Sequence, residues 1–99
     1  MKRKSGSEAT LMLNRVLDLR AAQPLAEDLL AMRGRPVAVD ASQVEKLGGL
    51  CLQVLISGAA TWRADGMTLR FGDVSDVFEE QLAMFGVALP DLSALDAIQ

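Results

Sequence analysis

The sequence predicts a small, single-domain α/β fold: a mixed, mostly parallel sheet packed against three to four helices. Three observations predict it. Short apolar segments of strand length alternate with segments of helical period. The order strand, helix, strand, helix, strand, helix calls for right-handed crossovers and hence parallel strands. The central strand-like segment, Val37-Ala38-Val39, is short, apolar and β-branched, as expected of a buried parallel strand.

The elements follow in order. Residues 1–7 read as a flexible basic tail, and residues 8–99 as the domain. Residues 10–13 are a first apolar strand, and Val16-Leu17-Asp18-Leu19 stays extended or enters a turn. From Ala21, Leu25, Leu29, Leu30 and Met32 recur near helical spacing. Pro24 fits the first turn of that helix and Gly34 ends it. After the strand at 37–39, Asp40, Ser42 and the Gly48-Gly49 pair make a loop. Residues 50–64 then form a helix with a wide apolar face built on Cys51, Leu55, Gly58, Ala59 and Trp62. Leu50, Val54 and Thr61 widen that face, and Asp65-Gly66 stops the helix. Residues 67–71 are the next strand. Asp73 or Ser75 caps a third helix at 76–85, with Val77, Phe78, Leu82 and Phe85 facing the core. Gly86 ends it, residues 87–90 are extended, and the remainder makes one short helical turn.

Composition narrows the chemistry. The 99 residues contain no His, which removes the commonest general base and metal ligand. Cys51 is the single cysteine, so neither an internal disulfide nor a thiolate cluster is available. These features argue against zinc sites and His-dependent nucleophiles, and they suit a reducing cytoplasm. No apolar run approaches a membrane span, so no membrane insertion is expected. Charge is uneven. Lys2, Arg3, Lys4, Arg15 and Arg20 make the start basic; from Gly66 onward only Arg70 opposes six carboxylates. An acidic C-terminal third argues against nucleic acid as the partner. No cofactor and no catalytic constellation is expected, so the chain reads as a non-enzyme.

Individual residues have plain readings. Cys51 and Trp62 are core residues, and Met12, Met32, Met67 and Met84 are gap fillers. Ser42 makes a local turn bond. Asp73, Asp76, Glu79 and Glu80 form an acidic patch that interacts with a helix dipole and aids solubility, a site for a basic partner surface being the other reading. The Gly48-Gly49 corner lacks GxGxxG and a Gly-Lys-Ser/Thr ending, so it is a weak phosphate loop. Its glycines serve a positive φ or a close backbone approach, or they leave room for a partner. These two uses are compatible.

Asp40-x-Ser42-x-Val44-x-x-Leu47, a short corner, and an apolar helix with Leu52 and Leu55 resemble the STAS domains, the anti-sigma-factor antagonist-like family. The resemblance runs from residue 10 to residue 89. It takes in Val16-Leu17-Asp18, the helix 21–33, the helix end Trp62-Arg63-Ala64-Asp65-Gly66, and the segment from Phe78 to Gly86. In that family the corner reads Asp-Ser-Ser-Gly-Leu or Asp-Thr-Ala-Gly-Leu, and its serine accepts phosphate in the sigma-regulating members. Laid on this chain without gaps, those positions are Gly48, Gly49, Leu50, Cys51 and Leu52. Gly49 and Leu50 therefore stand where the acceptor would be, and no Ser or Thr lies between Gln43 and Ser57. No phosphorylation is expected at the corner.

Within the family the chain is most similar to the small CheS-type STAS proteins of bacterial chemotaxis. The likeness lies in length, in Leu47-Gly48-x-Leu50-Cys51 and in Trp62-Arg63-x-Asp65-Gly66. It implies a signalling adaptor that binds the histidine kinase CheA and helps phosphate drain from a sink response regulator, without doing chemistry itself. Two other family roles remain open. One is the cytoplasmic STAS subunit that docks on the ATPase of a lipid transporter, which usually keeps a threonine at the Gly49 position. The other is an anti-sigma-factor antagonist, which needs the serine. In each case the expected partner-binding residues are Glu45, Lys46, Gly48, Gly49, Leu50 and Gln53. The oligomeric state stays open.

Overall fold

The computed structural model describes residues 8–94. The tail expected at 1–7 and the last residues, 95–99, lie outside the described residues. Strands β1 (Ala9–Met12), β3 (Val37–Ala41) and β5 (Leu69–Val74) form one sheet in the order β1-β3-β5. Both pairings are parallel, with Leu11 opposite Val39 and Val39 opposite Phe71. The central strand has Val37, Val39 and Ala41 essentially inaccessible. A second, two-stranded parallel pair joins β2 (Val16–Leu17) to β4 (Lys46–Leu47).

Three α-helices pack on this frame: α1 (Ala22–Ala31), α2 (Gly49–Ala64) and α3 (Asp76–Met84). A 3-10 turn, Leu19–Ala21, leads into α1, with Asp18 Oδ1 accepting the N–H groups of Arg20 and Ala21. Each α-helix is followed by a glycine in the left-handed region: Gly34 at φ 91°, Gly66 at 70° and Gly86 at 76°. These are the helix stops read from the sequence. The long helix α2 buries Cys51, Leu52, Leu55, Gly58, Ala59 and Trp62. At Gly58 a Cβ would stand 3.1 Å from Leu29 Cδ1, so the missing side chain sets how closely α1 and α2 approach. Ser75 caps α3, its Oγ accepting the Phe78 N–H and donating to Val44 O.

The structure corrects several expectations. Lys46 and Leu47 are a strand rather than loop. Two residues carry no readable period, and only their pairing with Val16 and Leu17 defines them. Residues 87–90 are not extended throughout. Leu89–Leu92 is a 3-10 turn in which Pro90 fixes φ and Asp91 Oδ2 accepts the Ala88 N–H. Beyond it Ala94 adds an antiparallel bridge to Leu69, so the sheet is mixed at that edge. Met12 and Met84 are exposed, 58% and 85%, and do not fill the core; Met32 and Met67 do pack against it. Met12 points outward because Ala9 and Leu11 take the inward positions of β1. On α3 the buried row is Phe78 and Leu82, while Phe85, at the helix end, is half exposed.

Candidate partner-binding corner

The corner is built by three elements meeting at the start of α2. Glu45 and Lys46 enter from the turn after β3, where Asp40 Oδ1 accepts the Ser42 N–H at 2.8 Å. Hydrogen bonding from the Ser42 side chain, and then from its backbone N–H, holds the Asp40 carboxyl below its ordinary pKa. The Ser42 turn bond thus exists, with Asp40 as acceptor. The Arg15 carbonyl accepts the N–H groups of both Glu45 and Lys46, and the Leu17 carbonyl accepts that of Gly48. The backbone of β2 therefore fixes the corner. Glu45 is held by Arg15 through contacts of 3.0 and 3.1 Å, both side chains being exposed.

The two glycines have separate reasons. Neither has positive φ, so that expectation fails. Gly48 is the N-cap of α2, in extended backbone at φ −90°. A Cβ there would lie 3.1 Å from the Leu17 carbonyl oxygen, the atom that its own N–H bonds. This is the close approach foreseen as one alternative. Gly49 is the first helical residue and is open to solvent. A Cβ on it would make ordinary contact, 3.7 Å, with the Phe85 ring.

Leu50 is 45% exposed, and Gln53 is exposed one turn on. With Leu30, Val54, Ser57 and Thr61 they line an open groove of about 370 Å³ between α1 and α2. Cys51 points the other way. It is fully buried, its Sγ–H reaches the Asp18 carbonyl at 3.3 Å, and burial and the Asp18 carboxylate push its pKa up. A neutral, enclosed thiol at this position is packing, not a nucleophile. Trp62 is likewise core, with Nε1–H donating to Arg35 O at 2.8 Å.

The structure thus brings Gly48, Gly49, Leu50 and Gln53 onto one helix start, with Lys46 and Glu45 beside it. Sequence reasoning missed three residues of the same locality. Gln81 on α3 accepts the Leu47 N–H through its side-chain oxygen and ties α3 to the corner. The Phe85 ring lies 3.7 Å from where a Cβ on Gly49 would stand, and Met84, the preceding residue in the chain, is more exposed than any other large apolar residue described. The helical phase held a signal for Met84: it lies four and eight residues from Glu80 and Asp76, on the charged line.

On the ungapped reading given above, the family's acidic position would fall on the N-cap, Gly48, and its hydroxyl positions on the first two helical residues, Gly49 and Leu50. The described residues contain no helix long and apolar enough to cross a membrane. Compared with curated proteins and with solved structures, the chain finds no match. The family model described as "Mlab, STAS domain" matches residues 1–93, nearly the whole chain, and the chain belongs to the STAS domain family.

Proposed function

We propose that the protein is a non-enzymatic signalling adaptor that docks a partner protein at the start of α2. The observation that carries this reading is the helix start itself. It is solvent-facing, small and apolar at Gly49 and Leu50, with Lys46, Glu45 and Gln53 as its polar rim. Without a hydroxyl at either position, the corner has no phosphate to gain or lose, and the contact is constitutive. The preferred partner is the chemotaxis histidine kinase CheA, with the adaptor helping phosphate drain from a sink response regulator. This reading puts the protein in the cytoplasm beside that kinase.

A second reading is the cytoplasmic STAS subunit that docks on a lipid-transporter ATPase. The Mlab description of the matching family favours it. Calorimetric titration with the CheA-type kinase and with the transporter ATPase of the same organism separates the two. Saturable one-to-one binding to the kinase supports the first reading, binding to the ATPase the second, and binding to neither overturns both. Gly49→Arg should abolish binding while leaving far-UV circular dichroism unchanged, because the position has room for a Cβ. Binding that survives it would reduce the corner to backbone geometry.

A further inference from the structure

The end of α3 offers an apolar surface that the fold does not use. Met84 is 85% exposed and Phe85 48%, and the Phe85 ring lies 3.7 Å from where a Cβ on Gly49, the residue at which α2 starts, would stand. Two large apolar side chains at one helix end, one of them with its ring near Gly49, exceed a scattered exposed residue. Gln81 holds this end of α3 against β4 through the Leu47 N–H, so the apolar pair is positioned by the same corner.

The charge around it has one sign. Asp76, Glu80 and Met84 fall at intervals of four residues, a single line along the helix. Glu79 lies beside them, and α3 carries no Lys or Arg. Among the described residues, no ion pair uses Asp76, Glu79 or Glu80. The corner contributes Lys46 as a lone opposing charge, since Glu45 and Arg15 neutralise each other. An apolar spot at the end of a carboxylate row is matched by a surface with an apolar centre and a Lys/Arg flank. It is mismatched to a second copy of itself, which would set carboxylates against carboxylates.

We infer that Met84 and Phe85, flanked by Glu79 and Glu80, form the second half of the docking surface and select a partner face that is apolar at its centre and basic at its edge. This rests on the corner being the docking site. It adds a hot spot outside α2 and a chemistry for the partner. The acidic flank supplies orientation and association rate, and the apolar pair supplies most of the residence time.

The test is titration of the wild type, Met84→Asp, Phe85→Ser, Glu79→Lys/Glu80→Lys and Gly49→Arg against the CheA-type kinase and the transporter ATPase. Met84 is 85% exposed, so Met84→Asp removes little packing and keeps the test open if Phe85→Ser proves unstable. Met84→Asp and Phe85→Ser should each weaken binding about tenfold or more. The double charge reversal should weaken it as well and flatten its dependence on salt. If Gly49→Arg abolishes binding while Met84→Asp and the charge reversal bind as the wild type does, the corner stands and this surface falls. If neither protein binds the wild type, both fall together. Self-association of the wild type that Met84→Asp abolishes would make the face a contact between copies and overturn the basic-partner assignment.

Discussion

The two ends of α2 are built to opposite purposes. At its C-terminal end every device closes the structure. Trp62 is enclosed and bonded to Arg35 O, Asp65 takes a two-point contact from Arg33, and Arg63 Nη2 reaches Ser93 O. At its N-terminal end the helix has no side-chain cap, its first residue is an exposed glycine, and its second is an exposed leucine. Buried Leu52 and Cys51 hold that end from below only. One end is spent on stability and the other is left available. A rigid helix anchored at its far end can present its near end without collapsing onto it, which is what a docking surface on a small domain requires.

The sharpest break of this comparison is Trp62→Ala. Removing the largest fully buried side chain should cost about 3–5 kcal/mol, a large fraction of what a domain of this size has to spare. Chemical denaturation followed by far-UV circular dichroism measures it. A loss below about 1 kcal/mol would mean that the C-terminal end is not the anchor.

The adjacent glycines give the next two effects, of opposite sign. Gly48→Ala puts a Cβ 3.1 Å from a backbone oxygen that is itself held by the Gly48 N–H, so the strain cannot relax by a rotamer change. A destabilisation of about 1–2 kcal/mol is expected. Gly49→Ala meets only ordinary contact and ordinary backbone. Restricting the unfolded chain should then raise stability by about 0.4–1 kcal/mol. Denaturant midpoints of the two variants decide it. If both destabilise, the opening at Gly49 is smaller than the geometry implies.

The same contrast explains what the sequence could tell. Long periodic segments were legible, because α2 repeats its apolar face at Cys51, Leu55, Ala59 and Trp62 and all four are buried. The three helix stops were legible because only glycine takes positive φ cheaply. The β2–β4 pair was not, since it depends on a contact between residues 30 apart and on no local pattern. At the corner, the close backbone approach was legible as one of two alternatives, and Gly48 is where it occurs. The Phe85–Gly49 contact was not. Phe85 sits in phase with Phe78 and Leu82, and only the end of α3 at Met84 releases its ring toward another helix. Periodicity reports which side chains share a face. It does not report where the face runs out.

The smallest effect tests the closed end electrostatically. The Arg33 guanidinium, bonded to the Asp65 carboxylate at 2.9 and 3.1 Å, holds that carboxyl below its ordinary pKa. A folded-state pKa below the unfolded one adds stability above the unfolded value, and this contribution is lost as pH falls through the folded value. Asp65→Asn should therefore melt slightly lower than the wild type at neutral pH. The gap should close below the folded carboxyl's range, where the wild type is protonated as well. Both partners are accessible, so added salt should shrink the gap at neutral pH. Thermal melts of the two proteins across acid and neutral pH, at low and high salt, measure it. A gap that persists unchanged into acid would mean that the Asp65 contribution does not come from the ion pair.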